Sequence, residues 1–232
     1  MVEVAILGAG RFGRSMHVLL ARADIDAALV RRGEAVPPAR VVWLAVRDGD
    51  LREASAAVPD GALTLHASGA LAPSVLPPRL RAGVLHPMMT FPGPEVAIPD
   101  VQGVPARVDG HPDALQAAIA LASRLGLRPL HVTDGARWHA AACMVSGHLA
   151  ELTLRAATVL EQAGLDPRDA RECLGPLART SLANVLAHGD AALTGPATRG
   201  DRTTTEAHLD VLAGESRDVY AALSRAILAR TR

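Results

Sequence analysis

The feature that most constrains this chain is a glycine-rich turn between two regular elements at its N-terminus. Residues 2–7 are a short apolar run typical of a buried parallel strand. Apolar residues recur at helical spacing after the turn, to about residue 23. Strand, glycine turn and helix in this order predict a dinucleotide-binding unit, in which the helix N-terminus binds the pyrophosphate. The turn residues predicted to bind the cofactor are Gly8, Ala9, Gly10, Arg11, Phe12 and Gly13.

The residues after the second predicted strand indicate which dinucleotide is bound. NAD-specific sites place an acidic residue there to bind the ribose hydroxyls, whereas this chain has Arg31 and Arg32. Arginine pairs well with a 2′-phosphate, so the sequence favours NADP over NAD. Two alternatives remain open: the arginines are ordinary surface residues, or Glu34 reaches a ribose.

The rest of the chain divides into two parts with different patterns. Strand patterns alternate with helices and loops up to residue 132, and the connection between the second and third strands is too short for a usual crossover helix. After residue 134 the pattern is helical, over about 136–163, 167–187 and 203–230. We therefore predict an α/β fold: a Rossmann-like parallel sheet (1–133), then an all-α substrate and dimerisation domain (134–232).

Composition narrows the function classes. The formal net charge is zero, which gives no general attraction to nucleic acid, and no apolar run is long enough for a membrane helix. The N-terminal residues lack a signal-peptide pattern, and the chain has only two cysteines. Both observations favour a cytoplasmic location. All basic side chains are arginine, which excludes Schiff-base chemistry and acid–base catalysis by lysine.

Five short motifs carry a resemblance to a known family. They occur in the expected order over nearly the whole chain: VRDGDL (46–51), HASGAL (66–71), HPMMTFP (86–92), WHAAA (138–142) and LTGPATRGD (193–201). Together they resemble bacterial proteins that are assigned as NADP oxidoreductases and join a Rossmann-like domain to a helical domain of unknown function. That family is related to 6-phosphogluconate dehydrogenase, ketopantoate reductase and pyrroline-5-carboxylate reductase.

The resemblance implies a fold and a cofactor class, and it leaves the substrate undefined. It also implies a homodimer formed through the helical domain. The chain departs from the family pattern at three positions: Trp138 replaces a tyrosine, Gly147 replaces an asparagine, and Arg47 replaces a proline.

Polar residues that follow the strands are candidates for the site, because ligands of open α/β sheets bind beyond the carboxyl ends of the strands. On the long helix, His139, Cys143 and Ser146 fall on one face, and His139 is a candidate proton donor. A structural role is the alternative for His86 and His139, and two ligands do not define a metal site. The predicted catalytic residues are His139, His86 and Ser68. Ser68 is also predicted to bind the cofactor, as is Val46. The predicted substrate-binding residues are Thr90, Ser146, Thr194, Arg199 and Asp201.

The residues and the resemblance together predict an NADP-dependent oxidoreductase without a metal. It would transfer hydride to or from a small carbonyl, hydroxyl or imine compound at the domain junction. One alternative is an enzyme that exchanges hydride between a deazaflavin and NADP. The other is a non-catalytic NADP(H) sensor or scaffold protein.

Overall fold

The computed structural model describes residues 1–231 and divides into two units by its internal contacts. The first unit is Met1–Ser146 and the second is Gly147–Arg232. All strands of the described chain belong to the first unit, and the second is helical. The contacts group residues 134–146 with the first unit, and the predicted domain boundary at residue 133 stays a prediction.

A seven-stranded sheet forms the centre of the first unit, with the order β2-β1-β3-β4-β5-β6-β7. The strands are β1 (Val2–Leu7), β2 (Ala27–Val30), β3 (Ala39–Leu44), β4 (Leu63–His66), β5 (Gly83–Pro87), β6 (Pro105–Gly110) and β7 (Arg128–His131). β1 to β5 are parallel, and the strand order reverses at β1, as in Rossmann-like folds. The predicted fold class is confirmed.

The parallel sheet predicted for the whole first domain is wrong for its last two strands. β6 runs antiparallel to β5, and β7 runs parallel to β6. The connection from β5 to β6 contains no helix in the described chain. A parallel neighbour for β5 would need a connection that crosses over the sheet, usually a helix. This loop contains none, and it turns the chain back so that β6 runs antiparallel beside β5.

Four helices of the first unit cover the sheet and lead out of it: α1 (Arg11–Arg22), α2 (Leu51–Ala54), α3 (Pro112–Arg124) and α4 (Gly135–Cys143). Successive strand residues point to opposite faces, so β1 contributes Val4 and Ile6 to the core under α1 and α3. Ala5 and Leu7 of β1 point to the opposite face and join a second core that includes Leu51 of α2. The connection between β2 and β3 has no helix within the described residues, as predicted.

The glycine turn has the backbone geometry that its sequence predicts. Gly8 has a φ of 125°, a region that other residues rarely adopt. A Cβ at Gly13 would overlap the carbonyl oxygen of Gly8, so α1 can approach the turn only because residue 13 lacks a side chain. A Cβ at Gly10, in contrast, would meet no heavy atom within 4 Å.

The second unit contains α5 (Leu149–Gln162), α6 (Pro167–His188), α7 (Pro196–Arg199), α8 (Arg202–Val211) and α9 (Gly214–Arg230). Two helices predicted as continuous are interrupted. A π-helical turn, Met144–His148, separates α4 from α5. Extended residues at Leu212 and Ala213 separate α8 from α9, and Gly214 follows with a φ of 51°.

We expect Gly13→Ala to destabilise the protein and Gly10→Ala to leave its stability almost unchanged. The new methyl group at residue 13 would overlap backbone, and such overpacking costs about 1–3 kcal/mol or more. Residue 10 faces open space, so its substitution should cost less than about 1 kcal/mol. Urea unfolding followed by circular dichroism measures both. Equal losses in the two variants would contradict the packing role of Gly13.

Candidate functional site

Two imidazoles meet at the carboxyl edge of the sheet. His86 lies near the end of β5, and His139 lies in the second turn of α4. Their rings are 5.8 Å apart between centroids and nearly perpendicular. Gly69, which follows β4, lies against both: a Cβ there would lie 2.6 Å from His139 Cδ2 and 2.8 Å from His86 Nε2. The pair therefore needs glycine at residue 69.

The hydrogen bonding of His86 determines its tautomer. The Trp138 indole Nε1–H donates to Nδ1 of His86 at 3.1 Å. Because an indole N–H can only donate, Nδ1 must be the unprotonated nitrogen and Nε2 carries the proton. Burial, reinforced by His139 and Arg107, lowers the pKa of His86 to about 4. His86 is thus a neutral hydrogen-bond donor near pH 7, and it is poorly suited to the role of proton donor that was predicted for it.

His139 has a different environment from that of His86. Its ring is partly buried and lies next to Cys143, whose Sγ is 3.8 Å from both ring nitrogens. These two residues are one helical turn apart, as the sequence predicts. Within residues 1–231, no group of three or more His, Cys, Asp or Glu side chains could hold a metal ion.

Ser68 is buried and its hydroxyl joins two loops. It donates to Asp48 Oδ2 at 2.9 Å and accepts from the Leu71 N–H at 3.0 Å. These bonds hold the loop after β4 against the loop after β3. They favour a positioning role for Ser68 over the catalytic role predicted for it, because the hydroxyl proton already has a partner.

His66 lies at the end of β4 with no exposed surface. Its Nδ1 accepts from the Ser68 N–H at 3.3 Å, which places the ring proton on Nε2. Nε2 is buried and has no hydrogen-bond partner in the described chain. Burial lowers the pKa of His66 to about 4, so this ring is also neutral near pH 7.

Arg107 on β6 is fully buried and holds the loops of the site together. Its Nε donates to the Val132 carbonyl at 2.8 Å, and its Nη1 donates to the Leu71 carbonyl at 2.9 Å. A longer contact of 3.4 Å joins Nη1 to the Gly69 carbonyl. Its Nη2 forms an ion pair with Asp109 at 3.2 Å, which balances the buried charge. One side chain thus fixes the segment after β4 and the segment before α4.

The start of α4 is fixed against the same loop. Asp134 caps the helix by accepting from the Arg137 N–H at 3.0 Å. A Cβ at Gly135 would lie 2.6 Å from the Ala70 carbonyl oxygen and 2.7 Å from Arg107 Cζ. Glycine therefore permits the close approach, and one turn later the helix places Trp138 and His139 beside His86.

The glycine turn at the end of β1 has the features of a phosphate site. The N-terminus of α1 has no side-chain cap within the described residues, and its first turn contains no acidic residue. Its first N–H groups thus remain open to an anion, and the space beside Gly10 is unfilled. Val46 lies against the turn, since a Cβ at Gly8 would be 3.1 Å from Val46 Cγ1. The observed turn fits a dinucleotide pyrophosphate.

Among the other residues predicted near the cofactor, Phe12 and Arg31 have contacts within the protein, whereas Arg11 and Arg32 are exposed. The Phe12 side chain packs edge-on against Trp43 at 5.5 Å and Phe91 at 5.2 Å between ring centroids, which leaves only its backbone for a phosphate. Arg31 and Arg32 are exposed after β2, and Glu34 accepts from the Arg31 N–H at 2.7 Å. Arg11 is exposed at the first position of α1. The glycine turn adjoins this segment, because the Gly8 N–H donates to the Val30 carbonyl.

The residues predicted to bind substrate belong to both units. Thr90 is exposed in the loop after β5, and the Ser146 hydroxyl donates to the Ala142 carbonyl of its own helix at 2.7 Å. In the second unit, Thr194 and Arg199 are exposed. Asp201 caps α8, accepting from the Thr204 N–H at 3.0 Å and its hydroxyl at 2.7 Å. Their role in substrate binding stays a prediction.

Sequence reasoning missed Arg107 and Gly135, included Gly69 only as part of a motif after a strand, and noted Trp138 only as a departure from the family pattern. One signal was present for Arg107. Arg107 and Asp109 are two residues apart in a strand, so their side chains share one face of the sheet. Burying the two charges there would be costly unless they form an ion pair. The other three act through contacts over long sequence separations, which no local pattern reveals.

We expect the stability of the protein to fall as the pH is lowered from 6.5 to 4, with His66 as a main cause. The pKa of this side chain is 6.5 in the unfolded chain and about 4 in the fold, so the unfolded state binds the proton first. This stabilisation is complete above pH 6.5, and about 3 kcal/mol is lost near pH 4. His66→Asn keeps an acceptor near Nδ1 and does not titrate. Urea unfolding at both pH values should show a smaller loss for this variant, and an identical loss would contradict the assignment.

Comparisons with known proteins fit this architecture. The putative NADP oxidoreductase BF3122 from Bacteroides fragilis is 21% identical and covers 98% of each chain, with a TM-score of 0.81. Protein TM1727 from Thermotoga maritima is 18% identical, also covers 98% of each chain, and has a TM-score of 0.74. The reductive aminase from Aspergillus terreus, in complex with NADPH and ethyl levulinate, is 15% identical, covers 100% of this chain and 95% of its own, and has a TM-score of 0.70. At these identities the likeness shows a shared fold.

Sequence comparison gives the family. None of the curated proteins matches the chain. Residues 104–227 match the family described as "Domain of unknown function (DUF2520)". This match covers more than half of the 232 residues, and the protein therefore belongs to the DUF2520 family.

Proposed function

We propose that this protein is an NADP-dependent oxidoreductase that acts on a small carbonyl, hydroxyl or imine compound. The observation that carries the proposal is the position of two features on one sheet edge. The open helix N-terminus follows β1, and the imidazole pair adjoins the ends of β4 and β5, in a sheet ordered β1-β3-β4-β5. Three strand spacings are about 14 Å, a span that suits the two ends of a dinucleotide.

The cofactor assignment rests on the turn and its neighbours. Gly10 and the first amides of α1 would hold the pyrophosphate, because the space beside Gly10 is unfilled and the helix N-terminus carries a partial positive charge. Gly8 would provide the turn that leads into them, through its positive φ. Arg31 and Arg32 would pair with a 2′-phosphate, which favours NADP over NAD. The description of BF3122 as a putative NADP oxidoreductase and the NADPH bound by the Aspergillus terreus reductive aminase support the same choice.

The reduction of a carbonyl or imine needs a hydride at carbon and a proton at oxygen or nitrogen. When bound, NADPH supplies the hydride. Of the two imidazoles, we assign proton donation to His139, because His86 is held neutral by burial and by its neighbours. His86 would hold the substrate by donating from Nε2. Thr90, exposed after β5, is a further candidate for contact with substrate.

Binding and turnover separate an enzyme from a sensor. We expect NADPH fluorescence to rise on binding, with weaker binding of NADH, and NADPH to be oxidised by members of a panel of small keto acids, aldehydes and imines. His139→Ala should lower kcat by about 100-fold or more and leave NADPH binding unchanged, since it removes the proton donor. His188→Ala, an exposed histidine of α6, is the matched control.

Each outcome of this experiment has a defined meaning. Failure to bind either dinucleotide at millimolar concentration would contradict the proposal. Binding without turnover of any substrate would favour the sensor alternative. Hydride exchange with NADP on addition of a reduced deazaflavin, and with no other substrate, would favour the deazaflavin alternative.

We also propose that the protein is a homodimer formed through its helical unit. Among residues 147–231 only Ala157 and Ala170 are buried, while Leu154, Leu177 and Leu186 are 56%, 65% and 84% exposed. Helices α5, α6, α8 and α9 line an apolar groove of about 480 Å³. A unit of this size with so little buried surface lacks a core of its own, and a second copy could bury these side chains.

The dimer is tested by light scattering during gel filtration. We expect a mass of twice 24.1 kDa for the protein as it stands. Leu223→Glu places a charge on the groove wall and should yield monomers, because burial of an unpaired carboxylate is costly. Ala229→Glu, exposed on the same helix and outside the groove lining, should remain dimeric. A monomeric native protein would disprove the proposal.

A further inference from the structure

We infer that Trp138 is a positioning residue that holds His86 in its Nε2–H tautomer. With the proton on Nε2, the site binds the oxygen atom of a carbonyl substrate and disfavours the N–H of a protonated imine. The part that concerns substrate rests on the proposed function. The part that concerns the tautomer rests on the hydrogen bond alone.

The hydrogen bond is directional. Trp138 Nε1 lies 3.1 Å from His86 Nδ1, and an indole nitrogen has no acceptor lone pair. The opposite tautomer would direct two N–H groups at each other across this distance. Trp138 has little freedom to move away, because the first turn of α4 is fixed by the Asp134 cap and by the close contact at Gly135.

The groups around His86 oppose the doubly protonated ring. Arg107 is its partner across the β5–β6 register, and on an antiparallel pair such residues share a face. Burial is the main cause that disfavours a positive charge on His86, and His139, Arg107 and His66 add to its effect. The ring therefore keeps a single proton, and Trp138 decides which nitrogen carries it.

The Nε2–H group has no partner in the protein. Nε2 makes no hydrogen bond with the described residues and is not among the fully buried polar atoms that lack a partner, and Gly69 packs directly against it, since a Cβ there would lie 2.8 Å from Nε2. A fixed donor binds a group with a free lone pair. A carbonyl oxygen has two lone pairs and can accept this hydrogen bond. A protonated imine presents an N–H instead, which would place two donors against each other.

This arrangement gives the two histidines separate roles. His86 orients the substrate through a proton that it retains, and His139 gives up its proton. Sequence patterns cannot distinguish these roles, because the difference comes from the neighbour of each ring. Trp138 donates to Nδ1 of His86, whereas Cys143 Sγ lies 3.8 Å from both ring nitrogens of His139.

The tautomer can be measured by long-range ¹H–¹⁵N correlation spectra of the ¹⁵N-histidine-labelled full-length protein at pH 7, with His86→Gln to assign the signals. We expect His86 to show a protonated Nε2 and an unprotonated Nδ1. Trp138→Phe removes the donor and retains an aromatic ring, and it should give a mixture of tautomers. Trp43→Phe is the matched control, because the buried Trp43 indole N–H makes no hydrogen bond in the described chain; it should leave the His86 signals unchanged.

Kinetics test the part that concerns substrate. Trp138→Phe should lower kcat/KM for carbonyl substrates by about tenfold, the usual effect of one misplaced hydrogen bond, with the Kd of NADPH unchanged. An Nδ1–H tautomer in the native protein overturns the inference even if the variant does not fold. Full carbonyl activity in Trp138→Phe, or a native preference for imines over carbonyls, overturns the substrate assignment. Failure of the native protein to bind NADPH overturns the proposed function and leaves the tautomer result standing.

Discussion

The candidate site depends on one buried cation. Arg107 has no exposed surface, and a guanidinium in that position must find acceptors for its N–H groups. It finds them in the carbonyls of Leu71 and Val132 and in the carboxylate of Asp109. Satisfying this one charge therefore fixes the loop after β4 relative to the start of α4. The positions of Gly69, Trp138 and His139 follow from that constraint.

The imidazole pair shows how two chemically identical side chains acquire different properties. Burial, together with His139 and Arg107, keeps His86 neutral, and the Trp138 donor fixes the position of its remaining proton. His139 contacts Cys143 and the edge of the His86 ring. In a chain without lysine and with one tyrosine, the proposed function would draw both a hydrogen-bond donor and a proton donor from this one residue type.

Sequence reasoning was most successful where the structure depends on neighbouring residues. The first strand, the glycine turn, α1 and the helix-free connection between β2 and β3 follow the predictions. It failed at the direction of β6, and it treated α8 and α9 as one helix. Both errors concern connections whose path is decided by what the chain packs against. The pairing of His86 with Trp138 was equally inaccessible, since the two residues are 52 positions apart.

The sequence by itself determined the class of the N-terminal unit. Gly8 is required because its φ is positive, and Gly13 is required because a Cβ there would overlap the carbonyl oxygen of Gly8. Both requirements arise within a few residues of the chain. Only the tertiary structure decided which polar residues form the site and which proton each one carries. Those properties depend on burial and on hydrogen bonds between β4, β5, β6 and α4, and these exist only after distant segments have packed together.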